Sequence, residues 1–426
     1  MLIVSVVILT ILFAIGVPVY MSFALGGLAL VLFVVGIPLN QLAAMFFNSM
    51  NSFILLAGPL FILAGNIMVH GGLAKSLTEF MNSFTARLPG GVAIATVIAC
   101  TFIGALTGST MATLAAVGLI MFPAMTSANY DRGYSGGVLC ASSNLGNLIP
   151  PSVAFILFGY LTDTSVAKLF MAGILPGLLL ALLLSVTAMF IAKRKRFQLM
   201  EGIRWRDRWL LFVKALPAIF MPVIILGGIY GGIFTPTEAA AVACIYGLIV
   251  GVFVYRKLNW KSFWNCVTDT TKLVGMILIL IAGAMLLGKA FTYIGFPQAI
   301  SKWVIGMRLG STGFLFLFIF MFIALGCIME GLALMFVTIP LIVPAACAVN
   351  IDPIHLGIIF CFSVLIAGMT PPVSIFVYAT AGMFKIPIEE VTLGVLPFLA
   401  ITIAALIIIV LFPEISIWLP RTMGSG

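Results

Sequence analysis

Charge is what this sequence of 426 residues has least of: Asp, Glu, Lys and Arg make up 8% of it, and there are 2 His. A soluble domain carries about 25% charged residues, so a soluble globular protein is excluded. Catalytic and nucleotide-binding signatures are missing as well. No G-x-x-x-x-G-K-[ST] segment exists to cradle ATP phosphates, no H-E-x-x-H, no acidic cluster for a divalent metal, and no Ser or Cys with an evident His partner. Energy for any transport must therefore come from an ion gradient. The seven cysteines lie scattered in apolar stretches without a C-x-x-C pair, which leaves neither a disulfide framework nor a zinc site.

What is present is apolar sequence. Hydrophobic residues make up 63%. Apolar runs long enough to cross a bilayer as a helix, about 20 residues, recur from Met1 to Pro413. Backbone inside lipid must satisfy its own hydrogen bonds, so continuous runs of this length predict membrane-spanning helices; a β-barrel would alternate instead. Leu2 to Phe13 lacks the basic start and cleavage site of a secretory signal and reads as part of the membrane domain. The net charge of +9 sits mainly in loops beside the apolar runs, as the positive-inside rule expects. Membrane lipids, and no nucleic acid, are the expected partners of this charge.

Laid over itself with Arg87-Leu88 on Arg308-Leu309, the chain matches its own second half. In that one register Asn129 falls on Asn350, Asp131 on Asp352, Cys140 on Cys361 and Pro150-Pro151 on Pro371-Pro372. Matches of rare residues without a change of register predict two repeats, 1–192 and 215–426, joined by a cytoplasmic linker 193–214. Their equivalent loops differ in basic charge. Two residues out of that register, Ile37-Pro38-Leu39-Asn40 corresponds to Arg256-Lys257-Leu258-Asn259, and Lys193-Arg194-Lys195-Arg196 has no basic counterpart at the end of the chain. That asymmetry predicts inverted repeats with both termini periplasmic. Met1–Val35 then supplies two helices, Phe53–Val69 a third, a broken helix about 134–165 a fourth and Leu169–Ala192 a fifth. Parity makes 90–128 a re-entrant hairpin, with 311–349 as its partner and 354–386 as the second broken helix. Leu73–Arg87 and Phe296–Arg308 read as amphipathic helices lying in the interface.

Four polar breaks interrupt the apolar zone: Gly108-Ser109-Thr110, Ser142 to Ser152, Glu330-Gly331 and Gly368 to Ser374. Gly and Pro unwind helices and free carbonyl oxygens, and unwound backbone at membrane depth persists only where it lines a cavity or is buried in protein. Carbonyls with Ser, Thr and Asn oxygens make the hard oxygen cage that Na⁺ prefers, and half-helix N-termini favour an anionic substrate. The bland reading is that Ser and Pro here only pack or kink helices; two repeat-related pairs of breaks speak against it. Glu330, at the proposed tip of the second hairpin, is a functional candidate because an intramembrane acid is costly. Asp163 and Lys168 read as an ordinary loop pair, and His70 and His355 as residues near helix ends.

Gly16-Val-Pro18, Gly108-Ser-Thr110, Asn144-Leu-Gly-Asn-Leu-Ile-Pro-Pro-Ser152 and Thr370-Pro-Pro-Val373 resemble the large membrane subunit of tripartite ATP-independent periplasmic (TRAP) transporters over essentially the whole chain. The resemblance implies an all-α polytopic protein with a mobile transport domain sliding against a scaffold, in a bacterial inner membrane. It implies Na⁺-coupled uptake of an organic acid such as a C4-dicarboxylate or sialic acid. Its implied partners are a small four-helix membrane subunit and a periplasmic substrate-binding protein, both separate chains. Na⁺ is implied at Ser109, Thr110, Ser143, Asn144 and Gly146, and at Gly331, Gly368, Thr370 and Ser374. The expected substrate contacts are Ser109, Asn147, Ser152, Glu330 and Tyr378. The sequence departs from the family after Val373, with Ser374-Ile375-Phe376 where many relatives have Gly and then a polar Asn. A stand-alone Na⁺/dicarboxylate carrier of similar fold is the nearest alternative; a membrane enzyme would need a clustered acid, base or metal site.

Overall fold

The computed structural model describes residues 12, 15–85, 87–197, 204–327, 329–372 and 374–423. Among them there is helix and no strand, and seven helices are long and apolar enough to cross a membrane. The chain is thus an all-α polytopic membrane protein. The helix expected at the start of Met1–Val35 and the motif residue Val373 lie outside the described residues.

The first half contains α1 (Val19–Leu30), α2 (Leu39–Asn48), α3 (Ala57–His70), α4 (Leu73–Thr85), α5 (Gly91–Thr107), α6 (Thr110–Ser127), α7 (Arg132–Ser143), α8 (Val153–Thr162) and α9 (Val166–Lys195). The second half contains α10 (Trp205–Tyr230), α11 (Pro236–Ile249), α12 (Trp260–Tyr293), α13 (Phe296–Met307), α14 (Gly310–Gly326), α15 (Gly331–Ala348), α16 (Pro353–Met369), α17 (Ile375–Phe384), α18 (Ile388–Leu411) and α19 (Glu414–Met423). In the register that lays Arg87 on Arg308, the bounds of α6 fall on those of α15, and α7 and α16 begin together. Asn129 and Asn350, one residue type at matched places, both turn through positive φ, 59° and 58°. Asn tolerates this left-handed geometry better than most side chains.

One pair of matched regions differs. Residues 39–72 form α2, a break around Ser49–Phe53, and α3, whereas their counterparts 260–293 form the single 34-residue helix α12. The short α2 was not anticipated from the sequence, because Asn40, Gln41 and Asn48 interrupt its apolar pattern. At the break, the Tyr160 hydroxyl donates to the Ser49 carbonyl at 2.5 Å and Thr237 Oγ1 to that of Phe53 at 3.2 Å. Carbonyls freed by the unwinding are thus satisfied, as burial requires.

Small residues let helices from opposite halves approach closely, the usual device of packing in membranes. A Cβ on Gly27 of α1 would stand 2.8 Å from the Gly283 carbonyl oxygen of α12. Gly133 and Gly137 of α7 meet Gly394 of α18 in the same way. Phe158 and Phe360, ring centroids 5.5 Å apart, join α8 to α16. The halves are interleaved, with the helix breaks at the join.

α4 turns 65° from the helix before it and buries Leu73, Leu77 and Phe80 while leaving Lys75 and Glu79 exposed. Its buried face packs on α5 and α10. Asp163 and Lys168 form no ion pair, a correction to the loop pair expected; Asp163 ends α8 at φ 52° and Lys168 lies in the first turn of α9. His355 is the third residue of α16 and is buried, beyond the helix-end placement that the sequence offered.

Candidate functional site

The first site begins with the turn between α5 and α6. Gly108 closes α5 at φ 61°, a conformation that costs glycine little, and Ser109 is extended before α6 starts. The turn is pinned to the break between α7 and α8, where the Val153 amide donates to the Gly108 carbonyl at 3.4 Å. That break arises because α7 tightens into a 3₁₀ turn over Asn144–Asn147 and then meets Pro150-Pro151, which has no amide donors. Both this Pro–Pro bond and Pro371–Pro372 are cis.

Packing between the two segments is backbone on backbone. A Cβ on Gly104 would lie 2.6 Å from Gly146 Cα, and one on Gly146 would lie 2.7 Å from Thr113 Oγ1 and 2.9 Å from the Ser109 carbonyl. Around this contact the hydroxyls converge. Thr113 Oγ1 donates to the Ser109 carbonyl at 2.8 Å, Thr107 Oγ1 lies 2.9 Å from Thr113 Oγ1, and Thr110 Oγ1 donates to Asn144 Oδ1 at 3.4 Å. Thr107, Thr110, Thr113 and Asn144 are at most 2% exposed. A hydroxyl that donates to a carbonyl keeps its lone pairs, so the cluster is a buried set of oxygen acceptors. Such a set suits a hard cation.

Of the first-half residues expected from the sequence, Ser109, Thr110, Asn144 and Gly146 come together here. Ser143 is buried but donates to its own helix, to the Cys140 carbonyl at 3.0 Å. Ser152 donates to the Asn147 carbonyl at 2.5 Å, so two of the expected substrate contacts hold each other across the break. Thr107 and Thr113 were missed. Their signal was their placement: Thr113 follows Ser109 by one helical turn, the i, i+4 spacing that stacks side chains, and Thr107 immediately precedes the glycine.

The second site has the same plan in other atoms. Gly326, at the end of α14, would place a Cβ 2.5 Å from Ala367 Cβ, and Gly331 would place one 2.8 Å from the Val364 carbonyl. Half-buried Glu330 occupies the cap position of α15. α16 ends at Met369 and Thr370 is extended. Each hydroxyl here is engaged locally: Thr370 with the Ile366 carbonyl at 2.7 Å, Ser374 with that of Gly368 at 2.7 Å, and Tyr378 with that of Pro372 at 3.0 Å. Ser374 also accepts from the Val377 amide at 3.3 Å and so starts α17, a cap supplied at the place where the sequence departs from the family pattern. The two sites adjoin, since α16 packs on the 144–147 turn.

A family model described as "Tripartite ATP-independent periplasmic transporter, DctM component" matches residues 6–415. The chain belongs to this family. The C4-dicarboxylate TRAP transporter large permease protein DctM of Pseudomonas aeruginosa is 39% identical to it over 388 residues, 91% of each chain. The sialic acid TRAP transporter large permease protein SiaM of Vibrio cholerae is 31% identical over 412 residues, 96% of each. The isethionate TRAP transporter permease protein DctMQ of Oleidesulfovibrio alaskensis is 34% identical over 95% of this chain and 64% of its own length. Among solved structures, the YdaH transporter of Alcanivorax borkumensis is similar with TM-score 0.61 and 15% identity, covering 92% of this chain and 90% of that one. MtrF of Neisseria gonorrhoeae is similar with TM-score 0.62 and 14% identity, covering 89% and 85%. These structures speak to fold alone. The TRAP large permease protein described here is a transporter component and not an enzyme.

Proposed function

We propose that this TRAP large permease protein carries out Na⁺-coupled uptake of an acidic organic solute across a bacterial inner membrane. Relatives named for C4-dicarboxylates and sialic acid support that substrate class. The two halves are inverted repeats, α5–α6 and α14–α15 are re-entrant hairpins, and the hairpins with their broken helices move as a transport domain against the remaining helices. The observation that carries the reading is the buried convergence of Thr107, Ser109, Thr110, Thr113 and Asn144 on a backbone contact between a hairpin turn and a helix break. Na⁺ is taken there as a co-substrate by hydroxyl and carbonyl oxygens. A second Na⁺ is taken near Gly331, Gly368, Thr370 and Ser374, where backbone carbonyls supply most of the ligands. The substrate carboxylate lies between the two, held by amides at the N-termini of the half-helices.

The solute is delivered by a periplasmic binding protein, and a small membrane subunit completes the carrier. DctMQ, named as one permease and longer than this chain, supports a subunit that is joined in some relatives. The test is uptake into proteoliposomes holding this chain and the small subunit, with binding protein loaded with succinate or sialic acid outside. Accumulation should require both an inward Na⁺ gradient and the binding protein. Undiminished uptake with K⁺ replacing Na⁺ refutes the coupling, and uptake without the binding protein favours a stand-alone carrier.

A further inference from the structure

The basic stretch at the start of α10 has an arrangement that orientation in the membrane alone does not require. Arg208 lies over two rings from different elements, 5.5 Å from the centroid of Trp205 and 5.1 Å from that of Phe84 at the far end of α4. Its Nε is shielded from solvent and has no hydrogen-bond partner among the described residues. Nor does Arg208 form an ion pair there, although Asp207 precedes it. Trp205 and Trp209 are exposed beside it, 71% and 61%, and Arg204 and Arg206 are exposed as well. Exposed Trp next to Arg at the end of an apolar span marks the headgroup level of a bilayer.

A planar guanidinium fixed by aromatic faces, with donors unspent, is built to meet a phosphate through paired N–H groups. We propose that Arg208, with Trp205 and Arg204, binds the phosphate of an anionic phospholipid headgroup, while Phe84 makes α4 one wall of the site. Charge complementarity selects the occupant: three arginines face one acid in residues 204–208, and anionic lipid is the abundant acidic partner at this depth. Lipid bound there clamps α4 to α10, since both contribute a ring to the same guanidinium.

The experiment reconstitutes the full chain in nanodiscs of phosphatidylcholine doped with dioleoyl phosphatidylglycerol, and counts retained phosphatidylglycerol by mass spectrometry after detergent extraction. Wild type should retain it in preference to phosphatidylcholine, and Arg208→Gln should lower the preference about fivefold with an unchanged Tm in pure phosphatidylcholine. Should Arg208→Gln fail to fold, Trp205→Ala and a NaCl titration of wild type carry the test. A weaker preference in Trp205→Ala, and one that falls with salt, support the site. No preference in wild type, an unchanged preference in the variant that folds, insensitivity to salt, or displacement of the lipid by inorganic phosphate overturns it.

Discussion

The two helix breaks sit at matched places in the chain, yet they are polar for different reasons. At the first, side chains carry the oxygen: Thr110, Thr113 and Asn144 in the cluster, with Ser143 buried beside it. In the register that lays Arg87 on Arg308 their counterparts are Gly331, Leu334, Val364 and Leu365, and the polarity there comes from unwound backbone with Thr370 and Ser374. What the matched segments share is the interruption of the helices and the close crossing beside it, Gly104 on Gly146 in one half and Gly326 on Ala367 in the other. Similar backbone geometry thus carries different side chains at the two places.

The largest test of this comparison attacks what is shared. Gly104→Leu would drive a side chain into Gly146 and the cluster behind it; overpacking of this kind costs about 1–3 kcal/mol or more, and uptake should be lost along with several degrees of Tm. Gly326→Leu should do the same. If either variant transports normally, the crossings are not what holds the breaks in place. Next comes the difference itself. Thr113→Val removes a hydroxyl that meets Thr107 across the turn and, on the proposed coupling, removes one oxygen from the cation's surroundings; it should raise the Na⁺ concentration for half-maximal uptake about tenfold, which corresponds to about 1.4 kcal/mol. Thr370→Val, which loses a bond only to its own helix, should shift it less; the reverse order would undo the contrast between the sites.

A further variant probes the join between the halves. Arg132, at the start of α7, donates to the carbonyls of Phe384 and Lys385 at 3.0 and 3.1 Å and lies over the Phe122 ring. Arg132→Gln should cost about 1–3 kcal/mol of stability, read as a lower Tm with Na⁺ affinity unchanged. The smallest effect belongs to Lys195→Ala. Its ion pair with Asp131 is roughly half exposed on both sides, and such pairs contribute about 0–1 kcal/mol, so Tm and uptake should scarcely move.

Much of this was legible in the sequence because breaks in membrane helices are written in Gly and Pro, and Pro-Pro pairs are rare enough to align. Pro150-Pro151 and Pro371-Pro372 located both breaks, and Gly108 located the first turn. Thr107 and Thr113 were not legible. A threonine inside an apolar helix commonly bonds back to its own turn, as Thr96 and Thr101 do here, so the spacing of Thr113 from Ser109 and of Thr107 from Gly108 was the one local signal and it was outweighed. The same limit explains Tyr378, whose hydroxyl turned back to Pro372, and Arg208, which read as one more basic residue in a linker until Phe84 of α4 was seen beside it. The kink at Ser49–Phe53 was hidden because its counterpart in α12 keeps a continuous helix from a similarly mixed sequence.

That last pair has a mechanical side. At about 1.5 Å per residue, the 34 residues of α12 make a rod about 50 Å long, against a hydrocarbon layer of about 30 Å. Its mixed first turns carry Trp260, Lys261, Asp269 and Lys272, of which the charged ones are costly within hydrocarbon. When the surrounding bilayer thickens or thins, a continuous rod of this length can tilt to match it. The matched region of the first half is divided at Ser49–Phe53 into two shorter helices, so a change in thickness meets one long lever in the second half and two short ones in the first.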